Sequence, residues 1–192
     1  MSINEILASL ENDVRNQSYT SRGIRPVCQL SPKAKILIIG QAPGAKVEAS
    51  GIPFADKSGE TLKRWLGVDD QTFYDADKIA ILPMDLYFPG KGETGDLPPR
   101  KFVAEEYHPL LLAELKEVKL TILIGKYAIE HYLGDRVKKN ATETIRAYSE
   151  YLPVYFPIVH PSPLNFRWQR KNPWFEAETV PALQRAVADI LK

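Results

Sequence analysis

The chain has 192 residues, 44% apolar and 26% charged, which excludes a disordered composition and fits one domain or two very small ones. The 25 basic and 24 acidic residues leave a formal charge of +1, so any nucleic-acid contact must come from a local basic patch. A single cysteine, Cys28, excludes a disulfide framework, a four-cysteine zinc site and a cysteine-ligated iron–sulfur cluster within one chain.

Apolar residues at Ile3, Ile6, Leu7, Leu10 and Val14 have helical spacing. The polar, proline-bearing stretch from Asn16 to Lys33 reads as an irregular surface arm, so residues 1–33 form a helix and arm ahead of the main body. Ala34 to Gly40 is a β-branched run stopped by glycine, the pattern of a strand covered on both faces. Ser58 to about Leu66 reads as a helix capped by Ser58. Ile79–Leu82 is a second buried strand ended by Pro83, followed by a glycine- and proline-rich loop from Pro89 to Pro99. A helix is expected from about Arg100 to Glu117, a third strand from Leu120 to Gly125 and a helix from Lys126 to about Leu133. The fourth strand, Val154–Val159, contains Pro157 and is therefore expected at a sheet edge or distorted. A last helix runs from about Glu178 to Leu191.

Strands separated by helices imply crossovers. The fold class is therefore α/β, a three-layer α/β/α sandwich with a central, mostly parallel four-stranded sheet, in one domain over residues 1–192. The amino terminus shows no basic segment followed by an apolar core, and no apolar run approaches the ~20 residues that span a bilayer. A cytoplasmic protein with no membrane partner is expected.

Ligands of such sheets bind beyond the carboxyl ends of the strands. Two of those segments are unusual. Gly40-Gln41-Ala42-Pro43-Gly44 leaves the first strand in a tight turn whose backbone N–H groups can hold an anion or a water. It is neither a G-x-G-x-x-G fingerprint nor a phosphate loop, and alone it reads equally as a plain corner. Gly51-Ile52-Pro53-Phe54 follows, with Phe54 either core or the wall of a pocket for a flat ring. After the fourth strand comes His160-Pro161-Ser162-Pro163-Leu164-Asn165, stiffened by prolines. Arg167, Arg170 and Lys171 follow, with aromatics between them and no acidic residue between His160 and Phe175. A histidine, an outward leucine and basic residues in one loop favour a nucleic-acid contact. His108 and His131 have no partner at metal-ligand spacing, and no metal or cofactor is expected.

The Gly40–Gly44 turn with Gly51–Phe54, and the His160–Asn165 segment, resemble in order and separation the two signature motifs of the uracil-DNA glycosylase superfamily. The resemblance implies hydrolysis of the N-glycosidic bond of a flipped base in damaged or deaminated DNA, and a monomer is expected. By that analogy Phe54 stacks on the base, and Gly40, Ala42, Pro43, Gly44 and Pro83 surround it. His160 stabilises the departing base, Leu164 wedges into the stack, and Ser162, Asn165, Arg167, Arg170 and Lys171 hold phosphates.

The chain also departs from that pattern. Efficient members carry an acid or asparagine at the second or third position of the first motif, where this chain has Gln41 and Ala42. Glutamine can hold a water but not deprotonate it, and Glu48 or Asp56 are the nearest carboxylates. Many relatives place asparagine after the second strand, where this chain reads Pro83-Met84-Asp85. Asp85 is thus a candidate catalytic residue beside His160 and Gln41, or a second-row residue, or a turn cap. A catalytically weak DNA or nucleobase-binding module, and an unrelated α/β enzyme acting on a phosphorylated small molecule, are the alternative functions.

Overall fold

The computed structural model describes residues 1–192. Helix α1 (Ile3–Glu11) opens with a capping box, in which Ser2 and Glu5 satisfy each other's backbone N–H groups. The stretch after it is less superficial than expected. It contains a short helix, α2 (Gln17–Thr20), and it buries Asn16 and Val27. Gln29 exchanges two backbone hydrogen bonds with Ile81, at 2.9 and 2.7 Å. The physical reason is an edge strand whose free N–H and C=O groups the arm covers.

Strand β1 (Ile36–Ile39) leads through the Gly40–Gly44 turn into α3 (Ala45–Ser50) and then α4 (Lys57–Leu66). The α4 cap is Asp56, not Ser58: its Oδ1 accepts from the Gly59 amide at 2.9 Å. A short α5 (Asp70–Phe73) precedes β2 (Ile79–Ile81). The loop expected after it holds a two-stranded ribbon, β3 (Lys91–Gly92) and β4 (Gly95–Asp96).

The helix expected from about Arg100 to Glu117 is present over residues 101–114, with a π-helical stretch, Val103–Tyr107, that runs into α6 (His108–Glu114). Strand β5 (Leu120–Ile124) passes directly into α7 (Gly125–Leu133), followed by α8 (Ala141–Arg146) and β6 (Tyr155–Ile158). Then come α9 (Phe166–Lys171), a second π stretch (Phe175–Thr179) and α10 (Val180–Leu191). Both π stretches end just before a helix whose first turn holds a proline, Pro109 or Pro181. Proline has no N–H for the preceding turn, and a widened turn accommodates that loss.

The main sheet has the order β2-β1-β5-β6, and every neighbouring pair is parallel. Helices flank it, as the α/β sandwich requires. Strands β1, β2 and β5 are buried along their whole length, which is why their sequences are continuous apolar runs. Strand β6 is an edge, in keeping with Pro157. One cluster of 38 buried side chains runs through the chain. Within it Trp65 of α4 meets Phe175 edge-on at 4.8 Å, while the Trp65 indole donates to Glu176 at 2.9 Å. Because β1 connects to β2 on one side and neighbours β5 on the other, the chain diverges between β1 and β5, the place where such sheets open a crevice.

Candidate active site

A cleft at the carboxyl ends of the strands gathers residues that are far apart in sequence. Gly40, Gln41, Ala42, Pro43 and Gly44 line it from the end of β1, and Pro83 from the end of β2. Phe54, Asp56 and Ser58 come from the α3–α4 connection, and His160 and Ser162 from beyond β6. Asp96 reaches it from the β3–β4 ribbon. Most residues the motifs select therefore meet in one place.

The first turn is held by the strand beside it. The Met84 and Asp85 amides donate to the Gly40 and Gln41 carbonyls at 2.8 and 3.1 Å. The amides of Gln41, Ala42 and Gly44 donate to nothing within the chain, so this wall of the cleft presents free N–H groups.

Phe54 is the chain's one non-glycine residue with positive φ, at 56°. Side chains adopt that region at a cost, so the surroundings must hold it. Three contacts do so. Its ring tip stands 3.4 Å from where a Cβ on Gly40 would lie. Phe73 meets it edge-on at 6.2 Å, and Tyr74 Oη donates to the Pro53 carbonyl at 3.1 Å. The Phe54 carbonyl lies over Gly59 so closely that a Cβ there would be 1.7 Å from its oxygen. Gly59 is therefore glycine for Phe54's sake.

His160 packs beside Gly125, whose added Cβ would lie 3.8 Å from its own. The Asn165 side-chain amide donates to the His160 carbonyl at 2.8 Å and fixes the loop. No protein group hydrogen-bonds the imidazole. Burial lowers its pKa, opposed by Asp56 and more weakly by Asp96, so the ring is neutral at neutral pH and keeps one N–H to offer.

Asp85 is placed differently from the expectation that sets it in the cleft. Its side chain is 0% exposed and does not line the cleft. Oδ2 accepts from the Arg100 amide and Nε at 3.0 and 2.7 Å, and Oδ1 from Arg100 Nη2 at 2.8 Å and the Tyr87 amide at 3.2 Å. The polarity of a residue at a strand end does not reveal which way the chain turns, and here it turns inward. Glu48 is likewise engaged, accepting from the Phe88 amide at 2.8 Å.

Pro83 offers the cleft no donor, and its carbonyl already accepts from buried His108 Nε2 at 2.9 Å. Beyond the cleft, Leu164 projects with 85% of its surface exposed. Ser162 Oγ accepts from the Leu164 amide at 3.2 Å and sets that projection. Arg167, Arg170 and Lys171 are exposed on α9, and none forms an ion pair within the chain. Asp96 and Ser58 join the cleft without any expectation from sequence. For Asp96 the usable signal is the spacing of Gly90, Gly92 and Gly95, which marks a tight ribbon in the loop after the second strand.

The model of the uracil DNA glycosylase superfamily matches residues 28–184. The chain belongs to that superfamily. A candidate uracil DNA glycosylase from Methanosarcina acetivorans, solved by solution NMR, is similar over 83% of this chain and 94% of its own, with 14% identity and a TM-score of 0.49.

Proposed function

We propose that the chain hydrolyses the N-glycosidic bond of a flipped, deaminated base in DNA. The observation that carries this reading is the convergence of an unpartnered neutral imidazole, a conformationally pinned aromatic ring and free backbone amides on one strand-end cleft. The flipped base stacks on Phe54. As the bond to the sugar lengthens, negative charge collects on the base, and the His160 N–H hydrogen-bonds it. The amides of Gln41 and Ala42 hold the base or the attacking water, and the Gln41 side chain can accept a hydrogen bond from that water. Leu164 fills the gap in the stack, while Ser162, Asn165, Arg167, Arg170 and Lys171 meet the phosphates.

The absence of a carboxylate on the first-motif turn favours a second reading, a module that binds the flipped base and cleaves it slowly or not at all. Single-turnover assays with protein in excess separate the two. The substrates are oligonucleotides carrying uracil, hypoxanthine or xanthine, single-stranded and mispaired. Release abolished by His160→Ala supports the glycosylase; salt-sensitive binding without release supports the module. Neither release nor binding contradicts both and leaves a small-molecule enzyme.

A further inference from the structure

The segment between β2 and the π stretch carries a group that the reaction needs and the first-motif turn lacks. Its two ends are anchored. At the start, the Phe88 amide donates to Glu48 at 2.8 Å, and the Phe88 carbonyl accepts from Tyr19 Oη at 2.9 Å. At the end, Arg100 is clamped to buried Asp85. Between these anchors Lys91 pairs with Asp96 and Gly92 with Gly95, leaving Glu93 and Thr94 at the tip. The Leu97 amide closes the ribbon on the Gly90 carbonyl at 2.8 Å, and the φ values of Gly90 (110°) and Gly95 (102°) need glycine.

Leu97 lies over the ribbon's own glycines, where an added Cβ on Gly90 or Gly92 would stand 3.3 or 3.4 Å from its methyl groups. Alternation along an extended chain then turns Asp96 to the opposite face. That face is the cleft. Asp96 Oδ2 stands 3.9 Å from the position of a Cβ on Gly44, in the same cleft as Gln41, Ala42 and His160. Neither of its oxygens has a hydrogen-bond or ion-pair partner in the chain. Asp56, the other carboxylate in the cleft, already uses Oδ1 to cap α4.

We propose that Asp96 is the catalytic carboxylate, delivered by the β3–β4 ribbon rather than by the first motif, and that it holds and deprotonates the attacking water. The assignment rests on the glycosylase reading above. The water oxygen bonds to C1′ as the C1′–N bond breaks, and the bonding electron pair leaves with the base. The water's proton passes to Asp96, and the released base takes up a proton from solvent. The carboxylate's charge also favours the positive character that the sugar develops.

Asp96→Asn keeps the shape and removes the base, at an exposed position where folding is unaffected. Single-turnover base release and equilibrium binding of the same oligonucleotide are measured for it, for Asp96→Glu and for Asp56→Asn. The expected result is a rate lowered roughly 10²- to 10⁴-fold in Asp96→Asn with binding retained, and partial recovery in Asp96→Glu. A wild-type rate in Asp96→Asn, or a loss confined to Asp56→Asn, overturns the role of Asp96 while the glycosylase reading stands. No release by the wild-type chain from any of the three bases overturns both.

Discussion

His108 is buried and His160 half-buried, and their partners assign them opposite work. The Pro83 carbonyl can only accept, so His108 Nε2 carries the proton, and Nδ1 accepts from Tyr132 Oη at 2.6 Å. Both nitrogens are occupied, and burial pushes the pKa of His108 down to about 4. In the unfolded chain the same group titrates near 6.5. Between those values the unfolded state binds a proton that the folded state refuses, so stability falls as pH drops through the window. The loss approaches about 3 kcal/mol below pH 4. Urea unfolding at several pH values should show it, and His108→Gln, which can still donate and accept, should flatten that dependence. An unchanged slope contradicts the neutral buried ring. At Gly59 the relevant force is steric. Gly59→Ala must displace the Phe54 carbonyl, and about 3 kcal/mol of stability should go with it. Thermal unfolding together with base release would show whether the ring's position is lost as well.

Among the elements, the ribbon loop depends on its anchors. Arg100→Met removes the counter-charge of a carboxylate that has no access to water, and about 3–5 kcal/mol of stability should be lost. Denaturant titration checks this, and Asp85→Asn added to Arg100→Met should restore part, because no charge is then stranded. Strands β1, β2 and β5 were legible because strands covered on both faces need unbroken apolar runs, and Pro157 marked β6 as an edge. The helices of four to six residues were not, since they are too short for a hydrophobic period to show. Gln29 on the sheet edge depends on a partner distant in the chain, Ile81, which local pattern cannot supply. The candidate site divides in the same way. Gly40–Gly44, Phe54, Pro83, His160 and Ser162 are read from local motifs and do line the cleft. Asp96 sits on a loop anchored at Glu48, Tyr19 and Asp85, and Asp85, which the sequence leaves open between catalysis, a second-row place and a turn cap, is a buried anchor of that loop.

Across the whole molecule, a net charge of +1 conceals a separation. The cleft holds two carboxylates, whereas α9 presents three cations that form no ion pair within the chain. DNA binding by that face should weaken linearly in log affinity against log salt. Arg170→Ala should reduce the slope by roughly 0.7–0.9, the share of one phosphate contact, across all oligonucleotides alike. Fluorescence anisotropy over a salt series measures it, and an unchanged slope removes Arg170 from the interface. Base release from DNA by His160 and the cleft around it is the proposed activity. The most direct test is a single-turnover time course on uracil-, hypoxanthine- and xanthine-containing oligonucleotides, run in parallel with the wild-type chain and His160→Ala. Release of at least one base by the wild type and none by the variant is expected; equal release by both, or by neither, rules out catalysis by His160 in this cleft.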